Sequence, residues 1–209
     1  MHRKILIIDD TLCLLGTANF TTQSLKMHDN LVLGLWSPAV AKFLRECIEQ
    51  EGIFEVAGIK ITGFLLPDFD GRAIRRLLSC IECATKSIQV AMFTLTHPEL
   101  VLKLADAQKR GVRVSIAIDR YTAEGASQKS IGILQDAGAE ILLNQGSQLL
   151  HHKWAIIDEN ILVMGSANWT KAAFSNNQDC LFILEKLPSS QQKVLKKLWN
   201  AVAIAAQKL

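Results

Sequence analysis

Apolar residues along the second half of the chain recur in two patterns, one typical of buried strands and the other of amphipathic helices. Short apolar runs predict strands over residues 61–66, 87–96, 112–119, 139–143, 154–158, 161–164 and 180–184. Apolar positions three and four residues apart predict helices over residues 73–84, 99–109, 129–135 and 191–206. This alternation predicts an α/β fold, specifically an α-β-α sandwich around a mixed, largely parallel sheet.

One stretch of sequence occurs twice, with the two copies 149 residues apart. Both copies read H-x-K-x4-D-x6-G-[ST]-x-N. The fixed positions of the first copy are His2, Lys4, Asp9, Gly16, Thr17 and Asn19. Those of the second copy are His151, Lys153, Asp158, Gly165, Ser166 and Asn168. Identical spacing in two copies indicates a shared function rather than chance. After a one-residue slip the match continues, with Asp29 over Asp179.

The two copies sit in units of different size. Residues 61–209 contain the full alternation of strands and helices, with the motif near its end. Residues 1–60 begin at the motif and add a strand over 31–35 and a helix over 39–50. We therefore expect residues 61–209 to form a complete second repeat and residues 1–60 to be the C-terminal part of a first one.

The side chains that recur in the motif suit a phosphate group. Lysine, serine or threonine and asparagine donate hydrogen bonds to phosphate oxygens and stabilise negative charge. Histidine is suited to nucleophilic attack or proton transfer near neutral pH. Two histidines divide that work, because one can attack phosphorus while the other protonates the leaving oxygen. The carboxylates are spaced for support rather than as a metal cage, so the motif predicts phosphodiester cleavage through a phosphohistidine, without metal or cofactor.

The repeated string resembles the HKD motif of the phospholipase D superfamily, which normally occurs twice per active site. The resemblance implies that His2, from the first repeat, is the nucleophile and that His151 is the general acid and then the base. It implies that phosphate is held by Lys4, Lys153, Asn19 and Asn168, with Thr17 and Ser166 in support. It also implies that Asp29 and Asp179 orient the histidines. The motif aspartates Asp9 and Asp158 belong to the catalytic motif but have a more structural role.

Three functions remain open from the sequence. The first is a phospholipase D-like phosphodiesterase that hydrolyses or transfers phosphodiesters of phospholipids by a ping-pong mechanism, with peripheral contact to a membrane. The second is an endonuclease with the same chemistry on DNA or RNA, because the second unit resembles the bacterial endonuclease and mitochondrial cardiolipin hydrolase branch of the superfamily. The third is an inactive, truncated remnant or binding module.

Composition excludes several other classes. With 209 residues, 49% of them hydrophobic, and a net charge of +3, the chain is not disordered. No run approaches the ~18 apolar residues of a membrane span. The apolar run Ile5–Ile8 ends at Asp9, so no export signal is visible and the cytoplasm is the default expectation. The five cysteines are scattered and odd in number, which does not predict a disulfide framework.

The incomplete first unit raises the question of what covers it, since half a lobe leaves sheet edges unpaired. One explanation is that the chain is the C-terminal portion of a longer two-repeat protein and that an N-terminal half-lobe is missing. The other is a homodimer that pairs His151 with its symmetry mate.

Overall fold

The computed structural model describes residues 1–208, which form a layered α/β fold. The strands are β1 (Ile5–Ile8), β2 (Leu12–Gly16), β3 (His28–Asp29), β4 (Val32–Trp36), β5 (Glu51–Val56), β6 (Ile59–Leu65), β7 (Ser87–Met92), β8 (Arg113–Ile118), β9 (Glu140–Asn144), β10 (Leu149–Leu150), β11 (Lys153–Ile157), β12 (Ile161–Gly165), β13 (Cys180–Glu185) and β14 (Ala206–Lys208). The helices are α1 (Thr22–Met27), α2 (Pro38–Glu46), α3 (Arg72–Glu82), α4 (Pro98–Lys109), α5 (Arg120–Glu124), α6 (Gln128–Asp136), α7 (Lys171–Ser175) and α8 (Ser189–Ile204).

A nine-stranded sheet runs through the middle of the molecule in the order β14-β9-β8-β7-β11-β12-β13-β6-β5. Its residues alternate between two apolar cores, as the period of a strand requires. In β11, Ala155 and Ile157 join the core under α3, α4 and α6, whereas Trp154 and Ile156 join the core under α2 and α8. The predicted α-β-α sandwich is therefore confirmed.

The large sheet is mixed, but it contains fewer parallel pairs than expected. Among its described pairs, only β7–β8 and β8–β9 are parallel. These are the strands that α4 and α6 connect as crossovers, whereas β11 and β12 are joined by a tight turn and must run antiparallel. Alternation of strands and helices in the sequence does not show how many neighbours are joined by hairpins, which is why the prediction was too parallel.

The first unit forms a separate three-stranded sheet in the order β1-β2-β4. Its inner face packs with α2 into the same core as α8, through Cys13, Leu15 and Leu35. The predicted helix over 39–50 is shorter in the structure, because α2 ends at Glu46 and Cys47 adopts a left-handed conformation with φ 51°.

A β-hairpin crosses the predicted boundary between the two units. The strand β5, which the sequence did not predict, pairs with β6 along its whole length at the edge of the large sheet. The boundary at residue 60 thus lies inside a continuous hairpin, and the first unit contributes an edge strand to the second. Within the described residues, no helix is both long and apolar enough to cross a bilayer.

Candidate active site

The two motif histidines are fastened to each other's units by matching backbone hydrogen bonds. The amide of His151 donates to the carbonyl of Asp29 (3.0 Å), and the amide of His2 donates to the carbonyl of Gln178 (2.8 Å). The acceptors Asp29 and Gln178 are 149 residues apart, like the histidines themselves. A parallel pairing of β3 with β10 reinforces the first of these joints. The repeat in the sequence is therefore a pseudo-twofold arrangement in space, which brings both motifs into one site.

Each histidine ring is held at Nδ1 by a side chain of the opposite unit. For His2 this is Asp179, whose Oδ1 lies 2.7 Å from Nδ1. For His151 it is Asn30, whose Oδ1 lies 3.1 Å from Nδ1. With Nδ1 engaged, Nε2 is the nitrogen that each ring has left for chemistry. Asp179 lies where the sequence placed it, in contact with a motif histidine.

Asn30 takes the place that the sequence assigned to Asp29, whose backbone carbonyl, not its carboxylate, contacts His151. Asn30 and Asp179 are 149 residues apart, so the repeat continues without the slip. A Cβ on Gly16 would lie 2.1 Å from the carbonyl oxygen of Leu31, and a Cβ on Gly165 equally close to that of Cys180. These close approaches fix the same register in both repeats. The one-residue slip aligned Asp29 with Asp179 because both are acidic, whereas the structural counterpart of Asp179 is Asn30.

Both motif lysines are buried and point to the backbone of the histidine two residues before them. Lys4 Nζ donates to the carbonyl of His2 (2.8 Å), and Lys153 Nζ donates to that of His151 (2.9 Å). Burial lowers the pKa of Lys4, and burial together with the charge of Lys4 lowers the pKa of Lys153 to about 7. The Lys153 ammonium also lies 5.2 Å from the centre of the Phe93 ring. Two buried ammonium groups side by side make this an environment for an anion.

The same environment acts on His151. Burial is the main cause that lowers the pKa of His151 to about 3, and the neighbouring charges of Lys153 and Lys4 lower it further. His28 and His2 add smaller effects in the same direction. Without an anion in the site, His151 is therefore a neutral imidazole at physiological pH.

The motif hydroxyls hold the positioning side chains and do not face open space. Ser166 Oγ donates to Asp179 Oδ1 (2.6 Å) and accepts from the amide of Cys180 (3.0 Å). Thr17 Oγ1 donates to Asn30 Oδ1 (3.0 Å) and accepts from the amide of Leu31 (2.9 Å). Both hydroxyls are fully buried. This geometry differs from the expected support of phosphate, because the hydroxyls act on the histidines through Asp179 and Asn30.

The motif asparagines remain available for a ligand. Asn168 is half-buried, and its side-chain oxygen has no hydrogen-bond partner within the described residues. Asn19 is also half-buried, and its backbone amide donates a hydrogen bond to Ser24 Oγ (3.0 Å). The side-chain Nδ2 groups of the two asparagines are the donors that suit a phosphate oxygen.

The motif aspartates lie outside the site, at the far ends of the strands that start there. Asp158 accepts hydrogen bonds from the amides of Thr85, Lys86 and Ser87 and from the hydroxyl of Thr85. These bonds lower its pKa against the opposing effect of burial. Asp9 is exposed, and its carboxylate has no hydrogen bond within residues 1–208. The structure thus gives Asp158 a clamping role between β11 and β7, and gives neither residue a place in the chemistry.

Comparison with known proteins agrees with this arrangement. The family described as "Cardiolipin synthase, PLD-like domain" matches residues 1–51 and 77–201. The mitochondrial cardiolipin hydrolase of Xenopus laevis is 35% identical over 138 residues, which are 65% of this chain and 64% of that protein. The human mitochondrial cardiolipin hydrolase is 37% identical over 114 residues, which are 54% of this chain and 44% of that protein. The chain thus spans about half to two thirds of the length of these curated relatives.

Two solved structures show how the two units relate to known folds. The crystal structure of Nuc, a phospholipase D family member from Salmonella typhimurium, covers 72% of this chain and 98% of its own, with a TM-score of 0.67 and 26% identity. The phosphatidylserine synthase of Haemophilus influenzae covers 100% of this chain and 63% of its own, with a TM-score of 0.78 and 11% identity. The second match includes the first unit and shows its fold. With a family match over both motifs and a site built from both, the chain belongs to the phospholipase D-like family.

Proposed function

We propose that this protein is a phosphodiesterase that cleaves phospholipids through a phosphohistidine. The observation that carries the proposal is the reciprocal placement of His2 and His151, each held at Nδ1, around the buried ammonium groups of Lys4 and Lys153. An acid or base and a nucleophile of this kind, next to fixed positive charge, are what phosphodiester cleavage needs. Relatives named mitochondrial cardiolipin hydrolase and phospholipase D support the lipid substrate.

The reaction takes two steps with one proton moving in each. First, Nε2 of His2 bonds to phosphorus while the bond to the leaving oxygen breaks, and that oxygen takes the Nε2 proton of His151. Then water attacks phosphorus, its proton goes to Nε2 of His151, and the phosphorus–nitrogen bond breaks. An alcohol in place of water makes the same step a transfer.

Substrate binding prepares His151 for the first step. The phosphodiester brings a negative charge next to Lys4 and Lys153, the two groups whose charge lowers the pKa of His151. That charge offsets theirs and favours the protonated ring. The amides of Asn19 and Asn168 complete the set of donors to the phosphate oxygens.

An apolar surface beside the site favours a lipid over a nucleic acid. The helix α1 lies between Asn19 and His28, and the ring of His28 is 5.7 Å from that of His151. Phe20, Leu25 and Met27, on and next to this helix, are exposed. Exposed apolar side chains on an element that follows a motif suit acyl chains and peripheral contact with a membrane.

The lipid proposal is tested by comparing two substrates under the same conditions. We expect release of the headgroup from vesicles that contain cardiolipin or phosphatidylcholine, and much slower cleavage of single-stranded DNA. DNA cleavage that exceeds lipid hydrolysis and falls steeply with salt would support the endonuclease alternative. The similarity to Nuc is the reason to test that alternative. If no phosphohistidine can be trapped with either substrate, the result would support the inactive remnant.

The outer face of the first unit's sheet is apolar and uncovered, which indicates what kind of segment binds to it. The side chains on this face belong to Leu6, Ile8, Leu12, Leu14, Val32 and Trp36, and all are exposed or half-buried. Their counterparts 149 residues later include Ala155, Ile157, Val163 and Leu181, which are buried under α3 and α4. In the same way, within the described residues β1 pairs with β2 alone, whereas its counterpart β11 pairs with both β12 and β7.

This comparison supports a half-lobe over a homodimer. We propose that a strand-and-helix segment like residues 61–150 covers the outer face of β1, β2 and β4, either on the same polypeptide or on a separate one. A symmetry mate is not needed to complete the pair of histidines, since backbone hydrogen bonds of the same chain join His2 to the second unit and His151 to the first.

Hydrogen exchange and sedimentation of the purified chain distinguish these two partners. We expect a monomer at low concentration in which amides of β1 and β4 exchange faster than those of β11 and β13, because their sheet face is uncovered. A stable dimer in which β1 and β4 are protected would contradict the half-lobe and support the homodimer.

A further inference from the structure

Hydrogen bonds around Asn30 fix which way its amide faces. Its Nδ2 donates to the carbonyls of Ser24 (2.9 Å) and His28 (3.2 Å), so that side of the amide is the donor side. Its Oδ1 accepts the hydroxyl proton of Thr17 (3.0 Å), because the Thr17 oxygen itself accepts from a backbone amide. The atom that Asn30 turns to His151 is therefore an acceptor.

An acceptor at this place determines the tautomer of His151. Since Asn30 Oδ1 cannot donate, Nδ1 of His151 must carry the hydrogen in their contact. The neutral ring then has its lone pair on Nε2, directed away from Asn30. This is the form that can take up a proton at Nε2 and give it back.

The counterpart Asp179 makes the same two contacts through its Oδ1, but with a full negative charge. Its Oδ1 accepts from Ser166 Oγ and contacts Nδ1 of His2, and its Oδ2 is buried without a hydrogen-bond partner within the described residues. The carboxylate is completely buried. Each histidine thus has an oxygen acceptor at Nδ1 that also accepts from a motif hydroxyl, but the charge of the group that carries this oxygen differs.

We propose that Asn30 is the positioning residue of His151, and that the pairing of an amide with His151 and a carboxylate with His2 assigns attack on phosphorus to His2 and proton transfer to His151. The proposal rests on the proposed function. When Nε2 of a histidine bonds to phosphorus and Nδ1 keeps its hydrogen, the ring becomes positively charged. A buried carboxylate stabilises that charge, whereas a neutral amide does not.

The groups around His151 are mostly positive, so an amide or a carboxylate at residue 30 would affect the proton affinity of this ring differently. Lys153, Lys4, His28 and His2 all act on it as positive groups, and the Phe93 ring lies 5.3 Å from its own. A carboxylate at residue 30 would be the one negative group in contact with this ring. Asparagine therefore leaves His151 able to release its proton readily in the first step.

The tautomer and the charge are tested by NMR without substrate. In the wild-type chain we expect the ¹⁵N shifts of His151 to show hydrogen on Nδ1 and a bare Nε2. In Asn30→Asp we expect the pKa of His151 to rise by about one unit or more. Asp29→Asn is the matched control, since it changes the neighbouring charge without touching the ring, and should leave that titration unchanged. Hydrogen on Nε2 in the wild type, or equal shifts in both variants, would overturn the role of Asn30.

Asp179→Asn provides a second variant, because an amide fits Asp179's contacts even if Asn30→Asp disturbs Ser24 and His28. It should move the ¹⁵N resonance of Nδ1 of His2, which contacts Asp179 Oδ1, while the resonances of His151 change little. Unchanged His2 resonances would overturn the proposed difference between the two positions.

The assignment of attack is tested by locating trapped phosphate. With a slow diester, mass spectrometry of the wild type should find the phosphoryl group on His2, and the exchanged variant Asn30→Asp/Asp179→Asn should carry it on His151. Phosphate on His151 in the wild type, or on His2 in both proteins, would overturn the assignment. No phosphohistidine in any of them would instead refute the proposed function, and the titrations would still decide the role of Asn30.

Discussion

Phosphodiester cleavage is expected to fall by at least about a thousandfold when either His2 or His151 is replaced by alanine, because each replacement removes a group that no neighbour can substitute. In the proposed mechanism, His2→Ala removes the atom that bonds to phosphorus, and His151→Ala removes the proton donor to the leaving oxygen. The two single variants and the double variant should be almost equally inactive, since groups that act in one step are not additive. Initial rates on cardiolipin vesicles, measured against the uncatalysed rate, check this.

The control for these variants is His97→Ala. His97 is also a buried histidine, but its ring packs on Phe174 and it lies at the start of α4. It should keep near wild-type rates, and circular dichroism should show that all three variants are folded. A loss in His151→Ala with full activity in His2→Ala would contradict a site within one chain and favour a dimer of second units. Full activity in His151→Ala would refute the mechanism altogether.

The strands next to the site were predictable because they are buried on both faces. The runs at 154–158 and 161–164 agree with β11 and β12 to within one residue, since the positions between the ends of these strands are all apolar. The edge strand β5 was missed because its side chains alternate between half-buried and exposed and include Glu51 and Glu55, which is the pattern of an ordinary loop. Edge strands obtain their order from a neighbour, here β6, rather than from their own apolar content.

The site itself was predictable as far as spacing alone was followed. The strict repeat places His2, Lys4, His151 and Lys153 together, and it also places Asn30 opposite Asp179. Because an acidic residue was expected to orient each histidine, the prediction named Asp29, although the spacing of the repeat points to Asn30. The contact of Asn30 with His151 depends on how one unit docks on the other, which no local pattern in the sequence encodes.

Asp158→Ala is expected to lower the free energy of unfolding by about 1–2 kcal/mol, because it removes a charged acceptor of four hydrogen bonds, three of them solvent-exposed, from Thr85, Lys86 and Ser87. The matched control is Asp9→Ala, the same motif position in the first repeat, whose carboxylate has no hydrogen bond within residues 1–208 and whose loss should cost little. Urea unfolding at neutral pH measures both.

The folded-state pKa of Asp158 is lowered, so its contribution to stability is complete above the pKa of the unfolded state and is lost as the pH falls through the folded pKa. The difference between wild type and Asp158→Ala should therefore shrink in acid. Equal costs for the two aspartates would contradict a clamp specific to the second repeat and would show that both carboxylates act through something they share, such as the left-handed turn in which both lie.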